Sequence, residues 1–166
     1  MTYSRFEELP VWQEAIRLAE TIYDMTESKE WRTSRSFRDQ LERAALSVSN
    51  NIAEGFERGT TNELLAFLYI ARGSAGEVRS MLCLLERRSA FGYLKSQISN
   101  LKSTAESCSR QLRAWADQLQ NSDIKGQRHL NEGVRKRYAV EKGAKEFQRE
   151  LMGLLPEGHP LKKRQG

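Results

Sequence analysis

The fold is decided by residues 94–119, LKSQISNLKSTAESCSRQLRAWADQL. Apolar residues recur in this stretch at alternating steps of four and three, at Leu94, Ile98, Leu101, Ala105, Cys108, Leu112, Trp115 and Leu119. Such spacing places them on one stripe of an α-helix, and its fidelity to about 3.5 residues per turn is typical of helices that pack at shallow angles. The stretch therefore predicts one long helix of a helical bundle.

Three earlier segments show the same period. The first begins after Pro10 and carries Val11, Ala15, Leu18, Ile22 and Met25. The second runs from about Phe37 to Phe56 and carries Leu41, Ala45, Val48 and Ile52. The third opens with the capping-box spacing of Thr60 and Glu63 and carries Leu64, Leu68, Ala71, Ala75, Val78, Leu82 and Leu85. We therefore predict an all-α, up-down antiparallel four-helix bundle over residues 1–120, with Gly55, Gly59 and Gly92 at helix ends.

Composition limits the class of protein. The chain has 166 residues, of which 39% are hydrophobic, 30% charged and only three proline, and its mean hydropathy is −0.68. It contains no apolar run long enough to span a bilayer, no apolar leader and only two cysteines. A cytoplasmic protein without membrane contact is expected.

The net charge of +5 is concentrated at one end of the chain. Residues 1–120 carry 16 basic and 16 acidic side chains, whereas residues 121–166 carry 11 and 6. We expect the second segment to be a basic extension, partly helical or flexible, that either contacts an anionic partner such as RNA or serves only solubility. Its candidate contact residues are Arg135, Lys136, Arg137, Lys142, Lys145, Lys162, Lys163 and Arg164.

Two helices carry a second apolar row beside the first. On helix 1 the row is Trp12, Ile16, Ala19 and Tyr23, and on helix 3 it is Phe67, Ile70, Met81 and Leu84. A slender bundle has no inner position for these side chains, so either the core is wider than in a simple bundle or the protein associates with copies of itself. Self-association is the favoured interpretation.

Short polar residues interrupt helix 2 where long charged ones would suit a solvated face. Ser47, Ser49, Asn50 and Asn51 are poor helix formers, and Gln40, Arg43, Glu54 and Arg58 share the face of Ser47 and Asn51. Helix 3 offers Ser74 and Glu77 as counterparts beside Gly73 and Gly76. We interpret these residues as a structural polar network, in which Arg43, Arg58 or Asn51 would donate to Glu77.

Residue types needed for catalysis or metal binding are scarce. The two histidines, His129 and His159, lie outside the four helical segments, so a di-iron site of the bundle type has no ligands. Cys83 and Cys108 are expected to pack as small hydrophobic residues. The sequence predicts a non-enzymatic protein with no cofactor.

Three ordered blocks resemble a known family. Residues 40–59, QLERAALSVSNNIAEGFERG, are similar to the central motif of the bacterial 23S rRNA intervening-sequence proteins, which are four-helix bundles. Residues 6–13, FEELPVWQ, are similar to the start of that family, and residues 67–77, FLYIARGSAGE, to its third-helix motif. The resemblance covers about residues 5–120.

The resemblance implies a small bundle that assembles into a ring, typically a pentamer, without known catalytic activity. A related branch, the accessory variability determinants of diversity-generating retroelements, binds a reverse transcriptase and its RNA through a basic surface. The near-neutral body of this chain departs from that pattern, and the sequence looks closer to the intervening-sequence branch.

The expected function is therefore a non-enzymatic homo-oligomer, pentameric by resemblance, that binds RNA or a ribonucleoprotein. The alternative is a protein scaffold or accessory subunit, for example for a reverse transcriptase, without direct nucleic-acid contact. Candidate phosphate contacts in the bundle are Arg43, Arg58, Arg72 and Arg79. Candidate interface or network residues are Trp12, Ile16, Tyr23, Ser47, Asn51, Glu54, Phe67, Ile70, Ser74, Glu77 and Met81.

Overall fold

A computed structural model describes residues 3–29 and 31–121, together with eight residues further along: Val140, Gly143, Ala144, Glu146, Phe147, Arg149, Glu150 and Gly153. The chain divides into two units, Met1–Gln127 and Arg128–Gly166. The first unit contains all four long helices. In the second unit the described residues are helical and exposed.

The first unit is the expected all-α bundle. Its long helices are α1 (Pro10–Glu27), α2 (Arg35–Glu57), α3 (Thr61–Glu86) and α4 (Lys95–Gln120), and the residues described contain no strand. A 3-10 turn at Phe6–Glu8 precedes α1, and a second, Ser89–Leu94, joins α3 to α4. Each helix packs against its neighbours in the order α1, α2, α3, α4 and back to α1, which confirms the predicted fold class.

Local sequence signals set the helix starts. Pro10 occupies the first position of α1, where its missing N–H costs nothing. The Ser34 hydroxyl caps α2 by accepting from the Phe37 N–H at 3.3 Å. The Thr60 hydroxyl caps α3 by accepting from the Glu63 N–H at 3.2 Å, and it donates to the Glu63 carboxylate at 2.7 Å. The hydroxyl half of the predicted capping box therefore forms at the start of α3, whereas the Glu63 carboxylate accepts from the Thr60 hydroxyl.

The predicted apolar seams form the core. Every seam residue of α1, α2 and α3 is buried, and so are the five central ones of α4 from Ile98 to Leu112. Beyond Leu112 the pattern slips by one residue, because Ala116 is buried while Trp115 is only half-buried. A straight α-helix drifts by about 20° per heptad from a 3.5-residue repeat, which explains why the seam moves to the next residue after three heptads.

Two glycines differ from their predicted roles as helix ends. Gly92 lies within the second 3-10 turn without a left-handed backbone, and α3 already ends at Glu86. Gly55 lies inside α2, where a Cβ atom would stand 2.7 Å from the Cβ of Phe67. Gly55 therefore allows α2 and α3 to approach each other closely beside their shared connection.

The α1–α2 and α3–α4 connections lie at one end of the bundle and the α2–α3 connection lies at the other, as an up-down topology requires. Trp31, between α1 and α2, packs against Phe91, between α3 and α4, with ring centroids 5.4 Å apart. At the other end Leu9 lies in one buried cluster with Leu64 of α3 and Ala116 of α4. Among the residues the structure describes, no helix is both long enough and apolar enough to cross a membrane.

Candidate functional site

Both second apolar rows face α2. On α1 the row continues from Tyr23 to Thr26, whose hydroxyl donates to the carboxylate of Glu42 on α2. On α3, Ser74 and Glu77 lie within the row, and each of them bonds to a side chain of α2. The surplus apolar surface of the bundle is therefore gathered along the two grooves that border α2.

A hydrogen-bonded network joins α2 to α3 in the middle of this region. The hydroxyls of Ser47 and Ser74 lie 2.9 Å apart, and the Ser74 hydroxyl also donates to the carbonyl of Ile70 at 3.1 Å. The amide of Asn51 donates to the Ser47 carbonyl at 2.7 Å and to its hydroxyl at 3.0 Å. These short side chains satisfy one another, and so the two helices can pack closely at a polar seam.

Glu77 receives its hydrogen bond from Gln40, whereas the sequence suggested Arg43, Arg58 or Asn51 as the donor. Arg43 in turn donates to the Gln40 side-chain oxygen at 3.0 Å. The chain Arg43–Gln40–Glu77 is exposed to solvent, unlike the half-buried serine pair. The sequence does not indicate the Gln40 amide as the donor, because a carboxylate pairs more often with a charged side chain.

The second rows are only partly covered by the subunit itself. Trp12 is half-buried and lies edge-on to Phe6 at 5.2 Å, and Ile16, Tyr23, Phe67 and Met81 are also half-buried. Other side chains remain open: Leu46 is 36% exposed, Ile70 50% and Leu84 49%. We call the surface formed by Leu46, Ser47, Asn50, Ile70, Ser74 and Leu84 the α2 face.

Near the connection of α2 to α3, Phe67 lies under the guanidinium of Arg58, which is 5.0 Å from the ring centroid. Arg58 also donates to the carboxylate of Glu54 one turn earlier. A guanidinium over an aromatic ring shields part of the ring from water and is stabilised by the ring's quadrupole. Both residues are therefore engaged within the subunit.

The four arginines proposed as phosphate contacts in the bundle are not gathered at one place. Arg58 pairs with Glu54 and Arg43 with Gln40, as described above, and Arg79 lies 3.9 Å from Glu106 of α4. Arg72 is half-buried on α3. Arg43 and Arg58 bond to side chains of α2, whereas Arg79 lies near a carboxylate of α4, so no single site contains all four arginines.

All eight predicted contacts in the basic extension lie outside the described residues. This applies to Arg135, Lys136, Arg137, Lys142, Lys145, Lys162, Lys163 and Arg164. The described residues between Val140 and Gly153 are helical, and Phe147 is exposed.

A cluster of cations that the sequence analysis did not single out lies at the end of the bundle where Trp31 meets Phe91. Its members are exposed: Lys29, Arg32, Arg35, Arg87, Arg88 and Lys95. We call this group the basic end. Arg87 and Arg88 are adjacent in the sequence, but their proximity to Lys29 and Arg32 arises only because α3 runs antiparallel to α2.

Cys108 is buried, and the groove between α1 and α4 contains no residue of the α2 face or of the basic end. Burial raises the pKa of the Cys108 thiol to about 12, so it stays protonated at neutral pH. The groove, of about 350 Å³, is lined by polar residues including Arg17, Thr21 and Asn100, with Leu18 and Leu101 among them. None of the site residues proposed from the sequence lines it.

Comparisons with known proteins agree with the fold. The chain is similar to a crystal structure of a protein of unknown function from the S23 ribosomal protein family of Bacteroides thetaiotaomicron, with a TM-score of 0.57 and 19% sequence identity. The similarity covers 64% of this chain and 97% of that one. No curated protein matches this sequence.

A family model, the 23S rRNA-intervening sequence protein, matches residues 7–114, and that span includes the α2 face and the basic end. The chain therefore belongs to the 23S rRNA-intervening sequence protein family.

Proposed function

We propose that this protein is a self-associating, non-catalytic bundle that works in complex with RNA or a ribonucleoprotein. The observation that carries the proposal is the α2 face, where Leu46, Ile70 and Leu84 stay exposed around a satisfied serine pair. Large apolar side chains that remain exposed on a small bundle are typical of a surface that a second subunit covers.

Self-association through the α2 face is supported by the small residues around it. Gly73 and Gly76 have open space where a Cβ would be, and Ser47 and Ser74 are short. A helix of another copy can therefore approach α3 closely and cover Ile70. The bundle body carries equal numbers of basic and acidic side chains, so no net repulsion opposes the contact of two copies. A pentameric ring, as the family resemblance implies, is the copy number we propose.

Light scattering coupled to size-exclusion chromatography tests this assembly. We expect a mass near five times 19.1 kDa at micromolar concentration. Ile70→Glu places a charge on the α2 face and is expected to reduce the mass toward that of one chain. Tyr69→Glu is the matched control, because Tyr69 is 44% exposed but receives a hydrogen bond from Gln120 of α4 on another side of α3. A monomeric wild type, or equal loss in both variants, contradicts the proposal.

Association with RNA is supported by the family's link to 23S rRNA intervening sequences and by the excess of basic residues in 121–166. Filter binding of a structured RNA at two salt concentrations tests it. Lysine and arginine side chains that bind phosphates release counterions from the RNA, and added salt opposes that release. We therefore expect the affinity for RNA to fall steeply between about 50 and 200 mM salt. Binding that is absent, or that does not respond to salt, contradicts this part.

The second candidate function is a protein scaffold or an accessory subunit, for example of a reverse transcriptase. The balanced charge of the bundle body favours it, because a protein interface does not need a cationic surface. Purification without nuclease distinguishes the two functions. RNA that copurifies supports the first, whereas a protein partner retained after nuclease treatment supports the second.

A further inference from the structure

The bundle is electrically polar along its length although its body has no net charge. Counted by sequence, the end that contains the α1–α2 and α3–α4 connections (residues 24–38 and 83–98) carries seven basic and four acidic side chains. The opposite end (residues 1–13, 54–64 and 117–120) carries two basic and six acidic side chains. The net side-chain charge is therefore +3 at one end and −4 at the other.

The cations of the basic end are largely unneutralised. Among the residues that the structure describes, Arg32, Arg87, Arg88 and Lys95 have no acidic side chain within salt-bridge distance. Arg35 reaches Asp39 only at 3.7 Å, and its side chain is 94% exposed. An exposed ion pair of this kind contributes little, so the Arg35 guanidinium remains accessible to another anion.

Lys102 and nearby cations of the basic end lower the pKa of Glu86, the one acidic residue in the α3–α4 part of that end. The pKa of the Glu86 carboxyl lies below its ordinary value, chiefly because Lys102 donates a hydrogen bond to it and also because Lys95 and Arg87 are nearby. The Glu86 carboxylate neutralises Lys102 at 2.6 Å and leaves the other two cations without a partner of their own. The positive potential therefore extends over the exposed surface.

Aromatic rings lie among these cations in a fixed arrangement. Phe91 is buried, and Tyr93 stacks on it with centroids 6.4 Å apart and an interplanar angle of 26°. Trp31 lies on Phe91 from the other connection. Tyr93 is nonetheless 52% exposed. Because the buried Phe91 holds Tyr93 in place, an incoming flat group can stack on the exposed part of that ring with little loss of side-chain entropy.

From these observations we infer that the basic end is a contact surface for single-stranded RNA, in which Arg32, Arg87, Arg88 and Lys95 hold phosphates and Tyr93 stacks on an unpaired base. The inference rests on the proposed association with RNA and assigns it to a place on the bundle. Cations that follow a backbone together with an exposed aromatic ring are the combination that single-stranded nucleic acids require. An acidic protein segment would use the cations but would not need the ring.

Fluorescence anisotropy with a labelled single-stranded RNA of about 12 nucleotides tests the assignment on the full chain. The first variant combines Arg32→Gln, Arg87→Gln, Arg88→Gln and Lys95→Gln. Its matched control combines Arg5→Gln, Arg17→Gln, Arg110→Gln and Arg113→Gln, which removes the same charge from exposed positions elsewhere on the bundle. We expect the first variant to bind at least tenfold more weakly, with a salt slope reduced by about 2 to 3, since each phosphate contact on a single strand contributes about 0.7. The control should change affinity less than threefold.

The stacking role has its own pair of variants. Tyr93→Ala is expected to weaken binding about fivefold or more, while Tyr93→Phe retains the ring and the affinity. Tyr69→Ala is the control, because it removes a similarly exposed tyrosine that lies beside the last residue of α4, away from the basic end. Equal losses for Tyr93→Ala and Tyr69→Ala would overturn the role of the ring.

The outcomes separate this inference from the proposed function. A wild type that does not bind RNA at low salt defeats the association with RNA itself. A wild type that binds, with the basic-end and control quadruple variants indistinguishable, overturns the assignment to the basic end and leaves the association with RNA standing. Circular dichroism of each variant verifies that exposed-site substitutions leave the helices intact.

Discussion

The substitution Gly55→Ala is expected to destabilise the bundle, although alanine is the better helix former. Gly55 is buried inside α2, and a Cβ there would stand 2.7 Å from Phe67 Cβ and 3.2 Å from Leu64 Cδ1 on α3. Leu64 can turn its side chain away, but the Cβ of Phe67 is fixed to the backbone. The methyl group therefore forces the first turns of α3 away from α2.

The magnitude follows from two opposing effects. An added methylene in a packed core costs about 1 to 3 kcal/mol. Replacing glycine by alanine in a helix returns up to about 1 kcal/mol through propensity and the reduced entropy of the unfolded chain. We expect Gly55→Ala to lower the free energy of unfolding by about 1 kcal/mol. Gly76→Ala on α3 meets no atom of its own subunit within 4 Å, so in the dissociated chain only the favourable effect applies. A gain of about 0.5 to 1 kcal/mol is therefore expected when both glycine variants are made in the Ile70→Glu background.

Urea denaturation followed by circular dichroism measures both variants under one condition. Because an assembly is stabilised by its concentration, the two variants and the wild type are compared at the same protein concentration. The difference between Gly55→Ala and Gly76→Ala should be about 1.5 to 2 kcal/mol. If Gly55→Ala is as stable as Gly76→Ala, the close approach of α2 to α3 at Gly55 is not a constraint and the reasoning is refuted.

Three further predictions concern the helix starts, the buried thiol and one indole. Ser34→Ala and Thr60→Ala should each lower the free energy of unfolding by about 1 kcal/mol, measured in urea, because each leaves a backbone N–H uncapped; no loss would contradict the capping role. Burial raises the Cys108 pKa to about 12, so the folded chain keeps a proton that the unfolded chain loses near pH 9, and stability should fall above pH 9 by up to about 1.4 kcal/mol per unit. The loss of stability above pH 9 should be smaller in Cys108→Ala. Iodoacetamide at pH 8 should label the half-buried Cys83 before Cys108, and faster labelling of Cys108 would contradict its burial. Trp31→Phe should change stability by less than about 1 kcal/mol, because it also removes an indole N–H that has no acceptor among the described residues; a loss above 2 kcal/mol would indicate a missing partner.

The arrangement of the core could be predicted from the sequence because each seam depends only on local spacing. Leu41, Ala45, Val48 and Ile52 repeat at steps of four and three, and all four are inaccessible to solvent. The second rows were also visible, but spacing alone does not say which neighbour a row faces. That information came from Thr26 and Ser74, whose hydroxyl contacts link both rows to α2.

Predictions that relied on single residues were less successful. Gly92 was read as a left-handed helix end because glycine commonly has that role, but the chain continues through it in a 3-10 turn. Gly55 was read in the same way, whereas its lack of a side chain accommodates Phe67. For Gly55 the requirement comes from a neighbouring helix, which the local sequence does not contain.

The basic end was missed for a different reason. Counting charge over residues 1–120 gave zero, because the excess at one end of the bundle is cancelled by acidic residues at the other. Lys29 and Lys95 are 66 positions apart in the sequence and share an end only because α3 runs antiparallel to α2. The basic end becomes visible when the charges are counted separately for the two ends of an up-down bundle.

The separation of charge between the two ends makes the bundle body, residues 1–120, an electric dipole. A polyanion that comes within the Debye length, about 8 Å at physiological ionic strength, exerts a torque that turns the positive end toward it before any contact forms. The orientation of the bundle is therefore biased before it meets the polyanion. Added salt should lower the association rate constant as well as the affinity of the complex.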